Sequence, residues 1–261
     1  MNDVIHLQLF QMVAAYIFVL ALVVIVKVKG IKREKEIVIS SFRMTIQLIL
    51  TGYILAYLFD TSSPIFTLLI LIAMETFSIA TIIKRTRTKL SSQLKKIIAF
   101  SMITGTLTCL FYFLLIVVRK DPWFDPRYFI PIAGMLIGNS MTGISLGVNR
   151  LVDGMLTQKN QVEGALMLGA TPKTASKHIV DNAFDSAILP TINSMVGMGI
   201  VFLPGMMTGQ ILSGTSPITA IEYQIAIMLG ILGSVSLTVI IFVQLGYKTF
   251  FNEHQQLIID Q

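Results

Sequence analysis

Charge is the first thing this chain is short of. Asp, Glu, Lys and Arg make up only 13% of its 261 residues, against roughly 25% in ordinary soluble domains. With 54% hydrophobic residues and a mean hydropathy of +0.76, that shortage excludes a water-soluble globular domain. Cysteine is confined to Cys109, inside an apolar run, which excludes a disulfide framework and a cysteine-rich metal site. Histidine is nearly as scarce: His6, His178 and His254 lie at the N-terminus, in a polar segment and in the tail, too far apart for one metal site. No glycine is followed by lysine, so the Gly-x-x-x-x-Gly-Lys phosphate loop is absent and the chain cannot bind ATP that way. There is no internal repeat and no low-complexity tract.

What the chain has instead is apolar runs of membrane-spanning length. Seven are read at 7–28, 39–59, 64–83, 97–118, 129–151, 191–212 and 223–246, each close to the ~20 residues a helix needs to cross hydrocarbon. The fold class predicted is an all-α, polytopic membrane helix bundle of about seven transmembrane helices, one permease domain over 1–261, with no soluble catalytic domain left to place. The formal charge of +6 does not call for nucleic acid, because its cations cluster between spans as topology signals do. The first loop carries Lys27, Lys29, Lys32, Arg33 and Lys35, and the third carries Lys84, Arg85, Arg87, Lys89, Lys95 and Lys96. Both are assigned to the cytoplasm.

The 60–63 connection has neither Lys nor Arg, the one before the seventh span carries only Glu222, and 119–127 balances Arg119, Lys120 and Arg127 against Asp121 and Asp125. These face outward. The expected location is a cell membrane, with the N-terminus outside and the C-terminus, from Lys248 on, inside. The head MNDVIH has an acid and no Lys or Arg, and no small-residue cleavage site follows the first span. That span is therefore read as an N-out anchor and not as a cleaved leader.

A polar, helix-breaking island interrupts this pattern at 163–190, within a segment 152–189 between the fifth and sixth spans. Gly169 suits the left-handed end of a helix, Thr171 can cap the next one through its hydroxyl, and Pro172 suits a first helical turn. A helix, a sharp turn and a second helix are predicted, a cytoplasmic coupling helix pair. In the second helix Ala175, Ile179, Ala183 and Ala187 form one row and Val180, Phe184 and Ile188 the next, making an apolar stripe. Lys173, Lys177, Asp181 and Asp185 lie off it, so this helix is expected to rest on the membrane face with the turn in the cytosol. Glu163, Ala165 and Gly169, followed by Ala170, Thr171 and Pro172, have the spacing of the loop by which ABC importer permeases touch their ATPase subunits. An ordinary amphipathic cytoplasmic loop is the other reading.

Four further strings narrow the likeness: PIAGMLIGNSM at 131–141, LGATPKTAS at 168–176, LPGMMTG at 203–209, and Arg43 with Gln47 and Leu48. In order, from Arg43 to the tail at Gln255, the chain resembles the FetB-type iron-export permease family of ABC transporters. The resemblance implies a permease subunit paired with a separate ATP-binding subunit. ATP and Mg would then sit on that partner, and no cofactor on this chain. Bacterial members are associated with iron export and similar plant proteins with aluminium tolerance, so iron or another metal moving outward is the expectation, with a second copy of the chain as co-partner. Ile188, Leu189 and Pro190 come later than the importer pattern places them, which weakens an importer reading and leaves the docking role intact.

Candidates for the substrate path are polar or helix-breaking groups at membrane depth. Glu75, near the middle of the third span, costs roughly 3 kcal/mol on insertion scales, yet the aliphatic residues around it offset that. It either pairs with a metal cation or is a protonated acid bonded to a neighbouring span. Asn139 can offer an oxygen to a hard or borderline cation, or an interhelical hydrogen bond. Pro204 and Gly205 interrupt the sixth span, as a substrate-exposed break or a packing kink. Met135, Met141, Met206, Met207 and Thr208 share these two spans, with Met195 and Met198; thioethers favour softer ions than Fe(II) and also serve packing. Gly134 with Gly138, Gly143 with Gly147, and Gly205 with Gly209 permit close helix approach, including between two copies. Arg43 and Gln47 form a polar face at the cytoplasmic end of the second span, where snorkelling also accounts for Arg43. A stand-alone ion-coupled carrier or channel using Glu75, and an ABC translocator of a non-metal substrate, stay open. A membrane enzyme ranks last, because no span carries paired carboxylates or a histidine-rich set.

Overall fold

In hydrocarbon each backbone N–H and C=O must find its partner within the protein, so long apolar runs cross as helices. A computed structural model describes residues 8–61, 63–86 and 90–258; His6, Leu7, Arg87 and Lys89 lie outside the described residues. Among those described, the regular structure is helical apart from two isolated β-bridges. Six stretches are long and apolar enough to cross a membrane: Phe10–Val28, Glu34–Phe59, Pro64–Arg85, Ser92–Val118, Pro126–Thr157 and Pro217–Phe250. The chain divides into two compact units, one of residues 1–62 with 212–214, the other of 63–211 with 215–261.

The first unit is a helical hairpin. Helices α1 (Leu9–Ala15) and α2 (Ile17–Val28) meet at Tyr16, Gly30 turns the chain at a φ of 70°, and α3 (Glu34–Thr61) returns. The Tyr16 hydroxyl hydrogen-bonds that of Thr45 across the hairpin. Glu34 and Glu36 occupy the first turn of α3, where the helix dipole favours negative charge. Among its described residues only Val26 and Leu58 are buried, so its apolar side chains are presented outward.

The second unit holds α4 (Pro64–Arg85), α5 (Ser92–Tyr112) with a π-helical extension Phe113–Val118, α6 (Pro126–Thr157), α7 (Lys159–Met167), α8 (Pro172–Ala175), α9 (Lys177–Gly197), α10 (Gly205–Leu212) and α11 (Pro217–Gly246), the last running into a 3-10 turn Tyr247–Phe250. Lipid tails are as apolar as leucine, so close van der Waals contact and buried hydroxyl bonds hold such helices together. Small residues mark each seam. A Cβ on Gly105 would lie 2.3 Å from Thr238 Cγ2, one on Gly143 2.9 Å from Val235, one on Gly154 2.5 Å from Ile179, and one on Gly230 2.9 Å from a Phe113 ring carbon. The Ser140 and Ser234 hydroxyls bond at 2.9 Å between α6 and α11.

These contacts give directions. Ser140 pairs with Ser234 and Leu151 reaches Gly246, so α6 and α11 are parallel; Gly154 meets Ile179 while Gly143 meets Ala187, so α9 is antiparallel to α6. Gly105 meets Thr238 and Gly230 meets Phe113, so α5 is antiparallel to α11. At 1.5 Å per residue the 32 residues of α6 span about 48 Å, well beyond the ~30 Å of hydrocarbon. The excess is taken up by tilt or by turns that project beyond the hydrocarbon. Gly105→Val is expected to destabilise the bundle by about 1–3 kcal/mol, because the new side chain meets Thr238 backbone as well as its methyl; thermal unfolding in detergent measures it, and an unchanged midpoint would contradict the seam.

Three expectations are corrected. The run 191–212 is not one span: α9 passes unbroken through Pro190 and ends at Gly197, residues 198–204 turn with Gly199 at φ 83°, and α10 begins at Gly205. The apolar stripe of Ile179, Val180, Ala183 and Ala187 is buried in the protein and not laid on a membrane face, since glycines at α6 positions 143, 147 and 154 let α9 approach closely. For the same reason the Gly143 and Gly147 gap is filled within the chain. Around Gly138, Gly205 and Gly209 there is open space.

Candidate functional site

The turn is built by short-range chemistry. Gly169 adopts a φ of 89°, its N–H donates to Leu166 O at 3.0 Å and the Ala170 N–H to Ala165 O at 3.0 Å, the paired bonds of a Schellman ending. Thr171 Oγ1 accepts from the Thr174 N–H at 3.3 Å and Pro172 opens α8. Ser176, buried, donates its hydroxyl to Pro172 O at 2.7 Å, fastening the turn to the head of α9. Glu163, half-buried, lies 3.8 Å from the exposed Lys159, a pairing of little strength. At the tip, Met167 and Leu168 are 85% and 91% exposed. Sequence reading passed over these two, although large apolar residues beside a left-handed glycine in a polar segment were the available signal.

Thr67 of α4 bonds Phe124 O just before α6, and Met74 meets Gly134, so α4 runs parallel to α6 and α11, and the turn shares its end of the unit with Lys84, Arg85, Lys95, Lys96, Arg150, Lys159, Lys173, Lys177 and Lys248. The mixed set Arg119, Lys120, Asp121, Asp125 and Arg127 is at the opposite end, with Asp125 capping α6 through the Arg127 N–H at 3.1 Å.

The intramembrane candidates do not converge. Glu75 is buried at 6% exposure, bonded through Oε1 to the Thr106 hydroxyl of α5, with Oε2 unpartnered. Thr106 also donates to Met102 O at 2.7 Å. Asn139 sits exposed on α6, its amide donating to Met135 O at 2.8 Å, and Met135 and Met141 are half-buried beside it. Pro204, Gly205, Met206, Met207 and Thr208 form the start of α10, with Met207 buried and Thr208 donating to Pro204 O at 3.0 Å. Met198, just past α9, contacts the Gln224 amide at 3.7 Å, two turns into α11, so the helix break is near the end where α11 begins and not at mid-span. Arg43 and Gln47 lie together on α3, lining a groove of about 400 Å³. Among the described residues no three His, Cys, Asp or Glu side chains gather as metal ligands.

One alignment went unread in the sequence. Asn139, Thr142, Ser145 and Asn149 follow one another along a face of α6 and each donates to the carbonyl four residues back, at 2.8, 3.1, 2.7 and 2.8 Å. The two hydroxyl donors and one N–H of each asparagine amide are thereby used on the helix itself, and the Oδ1 acceptors of both asparagines take no part in these bonds. Asn139 and Thr142 are exposed, a polar surface that lipid tails do not satisfy. Toward the C-terminal end of α6, Arg150 and Asp153 meet Asn182 of α9 around a cavity of about 300 Å³.

Six membrane-length helices among the described residues, seamed by glycine and hydroxyl contacts, define a multi-pass membrane protein. The chain belongs to the family described as "Uncharacterised protein family (UPF0014)", whose model matches residues 9–251. It is 36% identical over 224 residues to "UPF0014 membrane protein YjkA" of Bacillus subtilis, covering 86% of this chain and 88% of the relative. It is 35% identical over 229 residues to "Probable iron export permease protein FetB" of Escherichia coli, covering 87% and 86%. With "Protein ALUMINUM SENSITIVE 3" of Arabidopsis thaliana it shares 34% over 244 residues, 94% and 88% of the two chains. No solved structure matches.

Proposed function

We propose that this chain is the membrane-spanning subunit of an ATP-driven exporter of metal ions, iron foremost, working as two copies with two separate ATP-hydrolysing subunits. The observation that carries the reading is the rigid turn at 165–172, held by its own hydrogen bonds and tipped by exposed Met167 and Leu168. A turn of that stiffness transmits displacement to α9 and, through the α6 seam, to the bundle. The cations crowding its end of the unit support a cytoplasmic position for it under the positive-inside rule. α6 and α11 run the same way, so the chain must return between them; α9 with α10 supplies that seventh crossing, and the N-terminus is then outside and the C-terminus inside.

ATP and Mg belong to the partner subunit, since this chain has no phosphate loop. The metal is cargo. Iron is favoured by the likeness to the Escherichia coli relative named a probable iron export permease, and the α6 row of amide and hydroxyl oxygens suits a hard or borderline cation. A second copy facing that row would give its exposed polar groups a water-filled or protein partner in place of lipid. A carrier driven by an ion gradient is the second reading, favoured by the unpartnered Oε2 of Glu75.

The test is co-expression with its ATP-binding subunit, then flux of several metals into inside-out vesicles. The expected result is stable co-purification and metal uptake that requires ATP. Uptake by this chain alone, without ATP and driven by an ion gradient, would sink the proposal in favour of the carrier.

A further inference from the structure

Beyond α11 the chain folds back on itself in a hook. After the 3-10 turn, Phe251 and Leu257 form an antiparallel bridge, the Asn252 N–H donates to Gln256 O at 2.9 Å, and the Ile258 N–H to Phe250 O at 2.7 Å. Side chains add to this: Asn252 Oδ1 accepts from the Gln256 N–H and its amide donates to Gln256 Oε1, both at 2.8 Å. Gln255 takes a φ of 59° to close the hook. The 3-10 turn packs on α8, so the hook is tied to the coupling turn.

Hook and turn enclose a groove of about 800 Å³, lined among others by Glu163, Met167 and Gly169 on one side and Glu253, His254 and Gln255 on the other. Its lining contains two carboxylates and neither Lys nor Arg, in a chain of net charge +6 whose other groups at this end are largely cationic. Phosphate groups, whether of a nucleotide or of an anionic lipid, are bound by cations and by backbone donors, so this groove is unsuited to either. A basic side chain from a protein partner fits it. The neighbouring Met167 and Leu168 supply the apolar contact that such a charge pair lacks, and a hook already folded loses little entropy on docking.

We propose that the C-terminal hook completes the docking surface for the ATP-hydrolysing subunit, which seats an Arg or Lys between Glu163 and Glu253. This rests on the coupling reading of the turn. The experiment uses the full chain in detergent or nanodiscs and the ATP-binding subunit that co-purifies with it, with affinity measured against salt for wild type, Glu253→Lys, Glu253→Gln and Gly169→Val. Glu253→Lys is expected to weaken binding roughly tenfold or more, and Glu253→Gln to flatten the salt dependence. Glu253 is exposed, and the isosteric Gln keeps the comparison valid if the Lys variant folds poorly. Unchanged affinity and salt slope in both Glu253 variants, with binding lost in Gly169→Val, overturns the hook while the turn stands. If none of the variants weakens binding, or no subunit co-purifies, both fall. If Glu253→Lys splits a dimer of this chain and spares the ATPase, the groove belongs to the second copy and the proposal is wrong.

Discussion

Replacement of Gly169 by Val is expected to abolish ATPase association and ATP-driven transport while leaving the membrane helices folded. The cause is backbone conformation and not crowding: no atom lies within 4 Å of where a Cβ would stand, yet φ is 89°. A left-handed L-residue costs roughly 1–2 kcal/mol, and a branched one is disfavoured further. Escape from that conformation breaks the two closing bonds from Gly169 and Ala170, each contributing about 0.5–1.5 kcal/mol. These are alternatives, strain kept or bonds lost, so the turn carries the smaller cost of about 2 kcal/mol, which shifts its equilibrium by roughly thirtyfold. Gly214→Val supplies the control, with φ at 95° and equally open space, in the connection before α11. Co-purification and vesicle flux report both variants. Gly169→Val that still binds the ATPase and transports would remove the turn from the coupling path.

Glu75→Leu is expected to do the opposite to stability and the same to transport. The carboxyl is buried with Oε2 unpartnered, a condition that costs about 1–3 kcal/mol. Removing it orphans nothing, because Thr106 retains Met102 O as acceptor at 2.7 Å. The unfolding midpoint should rise by several degrees, at about 2–4 °C per kcal/mol for a domain of this size. Transport should fall by more than about tenfold, the pattern of a group retained for activity at the expense of stability. A lowered midpoint with undiminished flux would show Glu75 to be a structural tie between α4 and α5, and would take it out of the path.

What could be read ahead of the structure was whatever depends on neighbours in sequence. Gly169, Thr171 and Pro172 act through dihedral preference and bonds three to five residues apart, so the turn between α7 and α8 was legible residue by residue. The boundary drawn between the polar island and the span from 191 falls inside one helix, because packing on glycines of α6 carries α9 past Pro190, and the Ser194 hydroxyl bonds Pro190 O at 2.9 Å. Glu75 was visible as a charge at membrane depth, but its Thr106 partner is 31 residues away. The α6 polar row escaped notice because each member is individually ordinary, and only the helix sets them on one face.

By itself the sequence determined that this protein lives in a membrane, that its backbone must be helical there, and where a capped turn interrupts the spans. Those outcomes follow from solvation and local dihedral energy, which act along the chain. Only the tertiary structure decided that α9 lies against α6, that Glu75 and Asn139 point to different surroundings, and that the tail folds back beside the turn to form an acidic groove. Each of these depends on which distant side chains meet, and in a bilayer that is settled by close contact at small residues and not by how apolar each segment is.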